Sequence, residues 1–195
     1  MVIEQSQLNE RKANFSGVYN EKTPHAYFST MRRLEYQIPE NAKPQINAVI
    51  DQIKRQGQSS VSVLDLGCSY GVLSALIRFG LPLDTLYQRY RLTTASNVSD
   101  FSQEATWYAD RAQRDDVRFY GIDISTNAIN FAVSVGLLDA GVSVDLEDSS
   151  TSANTLSVLP PRLDLVVSTG CVGYITEVTF KKILAYLSVP SRMIT

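Results

Sequence analysis

Asp65, Gly67, Ser69 and Gly71 are the residues whose types and spacing most directly suggest chemistry. They fall within Val63-Leu64-Asp65-Leu66-Gly67-Cys68-Ser69-Tyr70-Gly71, an apolar β-rich run that opens into a glycine turn and then a helical pattern. Gly67 permits a tight turn, and Gly71 lets the next helix start close to the strand. The open helix N-terminus is thereby expected to leave backbone N–H groups facing a crevice at the strand's C-terminal edge, where a nucleotide-like ligand fits. The spacing is Gly-x-x-x-Gly, so the Gly-x-Gly-x-x-Gly that brings backbone against a pyrophosphate is missing. An aspartate at the strand end suits a cationic ligand better than an anionic one. Asp65 could equally bond backbone N–H groups of the turn itself.

The elements that would hold these residues follow from periodicity. Ile46, Val49, Ile50 and Ile53 recur at helical spacing, with Pro44 suited to a first turn and Gly57 to the stop. Residues 61–66 read as a strand and 72–79 as a helix ended by Gly80. Residues 81–116, with Tyr87, Tyr90, Trp107 and Tyr108 among charges, read as helices lying outside a sheet. Further strands are expected at 117–124, 142–146 and 163–168, a helix capped by Ser125 and stopped by Gly136, and another capped by Thr176 with Phe180, Ile183, Leu184 and Leu187 on one face. Alternating strands and helices imply an α/β fold, a doubly wound and mostly parallel sheet with helices on both faces. Residues 1–58 read as an N-terminal arm and helix forming a cap, and 59–195 as the core, with 81–116 as its helical insertion.

The segment 63–71 resembles motif I of class I (Rossmann-like) S-adenosylmethionine-dependent methyltransferases, and three later segments keep the family's order. Tyr120-Gly121-Ile122-Asp123-Ile124-Ser125 resembles the second-strand motif, Val144-Asp145-Leu146 the segment beside the adenine, and residues 163–168 the fourth-strand motif near the methyl group. The resemblance covers about residues 59–187. It implies S-adenosylmethionine as cofactor and S-adenosylhomocysteine as product. It further implies cofactor binding by Asp65, Gly67, Cys68, Ser69, Gly71, Asp123 (on the ribose hydroxyls), Ile124, Asp145, Leu146, Ser168 and Thr169. Asp145 could instead be a solvated turn residue. Two departures stand out. Asp123 lies 52 positions past Gly71, where about 20 is usual; the insertion at 81–116 accounts for the surplus. The family's sheet has seven strands, whereas here Arg192 could at most begin a fifth, so the core is expected to lack the last strands and to be truncated, with an exposed sheet edge able to pair two copies.

Methyl transfer to a small-molecule acceptor is the activity this implies, by in-line displacement and with no catalytic base readable from the residues. Tyr174, after the fourth strand, is a candidate substrate contact, as are Tyr27 and His25, the one histidine; Tyr36, Tyr87, Tyr90 and Trp107 could touch substrate or simply pack. Eighteen basic against 20 acidic residues provide no field for nucleic acid. Cys68 and Cys171 have no paired metal-ligand spacing. With no apolar run of membrane-spanning length and no signal-peptide pattern, a cytoplasmic protein without a membrane partner is expected. A cofactor-binding module without turnover is one alternative. A nicotinamide-dependent reductase is another, although no tyrosine here has a lysine four positions later.

Overall fold

The computed structural model describes residues 16–93, 100–188 and 191–195. Pro190, expected to turn the chain into its last strand, lies outside them. The elements run α1 (Ser16–Tyr19), α2 (His25–Arg33), α3 (Ile38–Arg55), β1 (Val61–Leu66), α4 (Val72–Ile77), α5 (Leu83–Leu92), α6 (Ser102–Ala109), β2 (Val117–Asp123), α7 (Thr126–Ser134), β3 (Ala140–Ser143), a 3₁₀ turn (Ala153–Val158), β4 (Leu165–Val167), α8 (Glu177–Tyr186) and β5 (Arg192–Ile194).

The strands form one sheet in the order β3-β2-β1-β4-β5, and every pairing among them is parallel. Parallel strands must be covered on both faces, so their side chains alternate between two apolar layers rather than between core and water. Val61 and Val63 of β1, with Val117, Phe119, Leu165 and Val167, join the larger core under α2 to α7. Leu64 and Leu66, with Ile122 and Val166, join a smaller one with Leu156, Leu159 and Ile183.

Several boundaries differ from expectation for identifiable reasons. Helix α3 starts six residues before Pro44 and carries that proline inside it; Pro39 takes the first-turn place instead, where a missing N–H costs nothing. Strand β3 lies at 140–143, not 142–146, because Gly141 fits against Ile129 of α7 and pairs with Gly121. Val144, Asp145 and Leu146 therefore follow the strand as a loop. On α8 it is Thr179 and Ile183 that are buried, while Leu184 is exposed. Within the described part of the N-terminal stretch, Tyr27, Phe28 and Met31 of α2 are buried in the larger core, and Phe28 stacks on Tyr90 of α5 with ring centroids 4.8 Å apart. Helices α5 and α6 lie off the sheet, and α5 packs against α2.

Candidate functional site

β1 is flanked by β2 on one side and β4 on the other, so the direction of winding reverses between β1 and β4. Chain segments leaving the two strands diverge there and open a crevice at their C-terminal ends. That crevice is a cavity of about 610 Å³, within the range of about 300 to 1,000 Å³ usual for small-molecule sites. Its floor is the turn after β1, and its walls come from the loops after β2, β3 and β4 and from the N-terminal helices.

The turn is built on left-handed backbone. Gly67 and Gly71 have φ of +70° and +76°, and Ser69 has φ of +48°, a conformation that costs energy in a residue with a Cβ. A Cβ on Gly67 would lie 2.5 Å from that of Cys171, so the turn and the loop after β4 touch at this glycine. Gly71, the N-cap of α4, allows close approach to Leu137 and Ala132. Within the turn itself, four backbone N–H groups are used internally. Gly67 N and Cys68 N donate to Ile122 O (2.8 and 3.2 Å), Ser69 N to Asp123 Oδ2 (2.8 Å) and Gly71 N to Cys68 O (2.9 Å). A phosphate would find these four donors taken.

Four carboxylates line the cavity: Asp65, Asp123, Asp145 and Glu147; no lysine, arginine or histidine is among its described lining residues. Asp65 is 2% exposed and its Oδ1 has no hydrogen-bond partner. Burial, and then the neighbouring Asp123 carboxylate, raise its pKa well above the ordinary range. The Ser69 hydroxyl beside it is likewise buried and unpartnered. Asp123 ends β2 and also receives Ser125 N on Oδ1 (2.9 Å). Its pKa is raised by burial, against the pull of the hydrogen bonds from Ser125 and Ser69. Asp145 is exposed, faces the cavity and accepts Glu147 N (2.8 Å), so it is a turn residue and a lining residue at once. Ile124 also lines the cavity while 72% exposed, and Leu146 is a buried part of the wall.

The fourth-strand segment divides in two. Thr169 lines the cavity, whereas Ser168 is buried behind it, with its Oγ 3.0 Å from Cys171 Sγ. Cys171 also donates to Leu66 O (3.2 Å), and burial pushes its thiol up to about 11. Cys68 is buried against Gly121 and its thiol is likewise raised, chiefly by burial. Of the candidate substrate contacts, Tyr27 and Tyr174 line the cavity, the first buried and the second half-exposed. His25 does not. Its ring nitrogens lie 3.0 and 2.9 Å from the Thr23 and Thr93 hydroxyls, its ring packs edge-on against Tyr90, and burial lowers its pKa. Tyr87, Tyr90 and Trp107 are also outside the cavity: Tyr87 donates to Tyr36 O, Tyr90 lies against Tyr108, and Trp107 lies beneath the Arg89 and Arg111 guanidinium groups.

Tyr36 does reach the cavity, and its hydroxyl donates to Thr169 O (3.2 Å), bridging the N-terminal helices and the loop after β4. Two further wall residues, Tyr19 and Glu147, were not singled out from the sequence. Tyr19 is placed by backbone contacts around it: Ser125 Oγ donates to Tyr19 O (2.6 Å), Asn127 Nδ2 to Asn20 O (2.6 Å) and Tyr70 Oη to Glu21 O (2.7 Å). Such long-range bonds leave no local signal. Glu147 accepts from the backbone N and hydroxyl of both Thr176 and Thr179, at 2.5 to 3.3 Å, and so holds the start of α8. Its signal was a Thr-x-x-Thr at a helix start with an unassigned acid upstream.

An all-parallel sheet of order 3-2-1-4-5, with the glycine turn at its switch point, decides the architecture. The fold is the Rossmann-like one expected from the motifs. No family model matches the chain, and no curated protein does. Solved structures similar to it include a TehB-like SAM-dependent methyltransferase from Corynebacterium glutamicum (16% identity, 80% of this chain and 70% of that one, TM-score 0.39). Others are magnesium protoporphyrin IX methyltransferase from Synechocystis, with bound SAM (16%, 75% and 54%, 0.36), and the plantazolicin methyltransferase BamL in complex with SAH (15%, 97% and 58%, 0.42). The chain thus spans little more than half the length of the latter two.

Proposed function

We propose that this protein binds S-adenosylmethionine in the crevice between β1 and β4 and transfers its methyl group to a small-molecule acceptor. One observation carries the reading: a ligand-sized cavity lined by four carboxylates and, among the described residues, no basic side chain, with a buried, unpartnered Asp65 oxygen at its floor. Such a field attracts a sulfonium and an ammonium and repels a pyrophosphate. The turn's committed N–H groups point the same way.

The chain's residues fit the cofactor as follows. Asp65 and the Ser69 hydroxyl supply acceptors for its ammonium end. Asp123, whose oxygens each hold one backbone donor, has lone pairs left for two ribose hydroxyls. Ile124 and Leu146 offer apolar surface to the adenine. When bound, the cofactor supplies an electrophilic methyl group, so the protein's work is orientation: acceptor atom and methyl carbon held about 3 to 3.5 Å apart and in line. Thr169, Tyr36 and Tyr174 border the space left for the acceptor.

Titration with S-adenosylhomocysteine separates the two acids. Asp123→Ala is expected to weaken binding by about a hundredfold or more, since it removes two charge-assisted hydrogen bonds of about 1.5 to 3 kcal/mol each. Asp145→Ala, already solvated, should cost less than threefold. Equal or reversed losses would remove Asp123 from the ribose site.

A further inference from the structure

We propose that the acceptor is an uncharged amine carried on an apolar or aromatic body, methylated at nitrogen to give a cationic product. The proposal rests on the cofactor reading above and concerns what the rest of the same cavity selects.

Charge comes first. S-adenosylmethionine carries one net positive charge, whereas the cavity holds four carboxylates with no described lysine, arginine or histidine. The loaded site therefore stays negative. A carboxylate, phosphate or thiolate acceptor would enter against like charge without a cation to meet it.

The second constraint is that, among the described lining residues, no side chain on the acceptor's side stands ready as a base. Neutral hydroxyls and thiols are weak nucleophiles until a proton is removed. Burial pushes the Tyr27 and Tyr36 hydroxyls up, Tyr19 to about 12 and the Cys171 thiol to about 11, so each keeps its proton near neutrality. Three of the carboxylates are already engaged: Asp123 by Ser69 and Ser125, Asp145 by the Glu147 N–H, and Glu147 by Thr176 and Thr179. Asp65 keeps a buried oxygen without a partner, which the cofactor reading gives to the ammonium; the exposed Asp145 stands in the loop after β3, on the side that reading gives to the adenine. An amine needs no base to react. Its nitrogen lone pair forms the new C–N bond as the C–S bond breaks; that bond's electron pair stays on sulfur, leaving a thioether and an alkylated ammonium. A primary or secondary amine then releases a proton to water.

The walls match such a product. Tyr19, Tyr27, Tyr36 and Tyr174 line the cavity together with Pro39 and Ile175. Tyrosine faces attract alkylated ammonium groups, and more strongly where water is excluded. Tyr19 and Tyr27 already pack edge to face, with centroids 5.3 Å apart. Ile124 and Tyr174 line the cavity while exposed and offer apolar contact to the body of the acceptor.

The test uses probes that differ in charge at constant ring size. The whole protein, saturated with S-adenosylhomocysteine, is titrated with benzyltrimethylammonium, benzyl alcohol and benzylsulfonate. The proposal expects the cation to bind at least tenfold tighter than the other two, and Tyr36→Leu to cut that preference to below threefold. A sulfonate or alcohol that binds as well as the cation overturns the amine assignment, as does a preference untouched by Tyr36→Leu or the binding of none of the three. Failure of S-adenosylhomocysteine itself to bind is a separate result: it removes the cofactor reading, and this proposal falls with it.

Discussion

Asp65, one residue before the end of β1, and Asp123, the last of β2, lie near the C-terminal ends of neighbouring strands, yet their surroundings give them different costs. Asp123 has two backbone donors to offset its burial, whereas Asp65 has an oxygen with none. A carboxyl whose folded-state pKa lies above its unfolded value weakens folding as pH rises through that interval, and the penalty is complete above the folded pKa. Asp65→Asn is therefore expected to raise Tm at pH 8 by a few degrees, roughly the shift for 1 kcal/mol, with the gain vanishing near pH 3. The same change should weaken S-adenosylmethionine binding, as when a site is strained for function. A lower Tm at pH 8 would mean that Asp65 has a structural partner. Gly67 makes a sharper demand, since both its φ of +70° and the Cys171 Cβ exclude a side chain. Gly67→Val should abolish cofactor binding in a protein that still shows native circular dichroism; unchanged affinity would take the turn out of the site.

At the scale of elements, legibility followed how local each cause is. β1 was readable to the residue because both its faces are apolar, and the Ser125 and Thr176 caps were readable because each bonds an N–H two or three positions on, at Ala128 and Val178. β3 was misplaced by two to three residues because its register depends on Gly141 meeting Gly121 and Ile129, which are close only after folding. The interior proline of α3 hid the helix's true start for a similar reason. Glu147 shows the same limit: the four bonds it accepts cross from the loop after β3 to α8. Burial alone would raise its pKa, but the bonds from Thr176 and Thr179 outweigh it and bring the carboxyl to about 2. Being depressed, this pKa adds stability that is present above the unfolded value near 4.5 and is lost as pH falls towards 2. Glu147→Gln should lower stability at neutral pH and flatten the acid limb of unfolding across that window. An acid limb identical to the parent's would show that the clamp contributes nothing in solution.

Over the whole molecule, sequence order preserved the motifs, while most of the cavity's aromatic wall came from the stretch read as an N-terminal cap. Tyr19, Tyr27 and Tyr36 lie far from β4 in sequence but share its crevice, because α1 to α3 pack over the C-terminal end of the sheet. His25, in the same stretch, points to Thr93 instead; nothing local distinguishes it from Tyr27 two positions on. No described helix is long and apolar enough to cross a membrane, and no group of three potential metal ligands occurs among the described residues. The central claim is thus about one cavity and the charge of what enters it. Isothermal titration calorimetry of the protein against S-adenosylmethionine, S-adenosylhomocysteine, NAD and NADP tests it most directly. One-to-one binding of both sulfur nucleosides, with no heat from NAD or NADP, is the predicted result; binding of either nicotinamide dinucleotide, or of neither sulfur nucleoside, would contradict it.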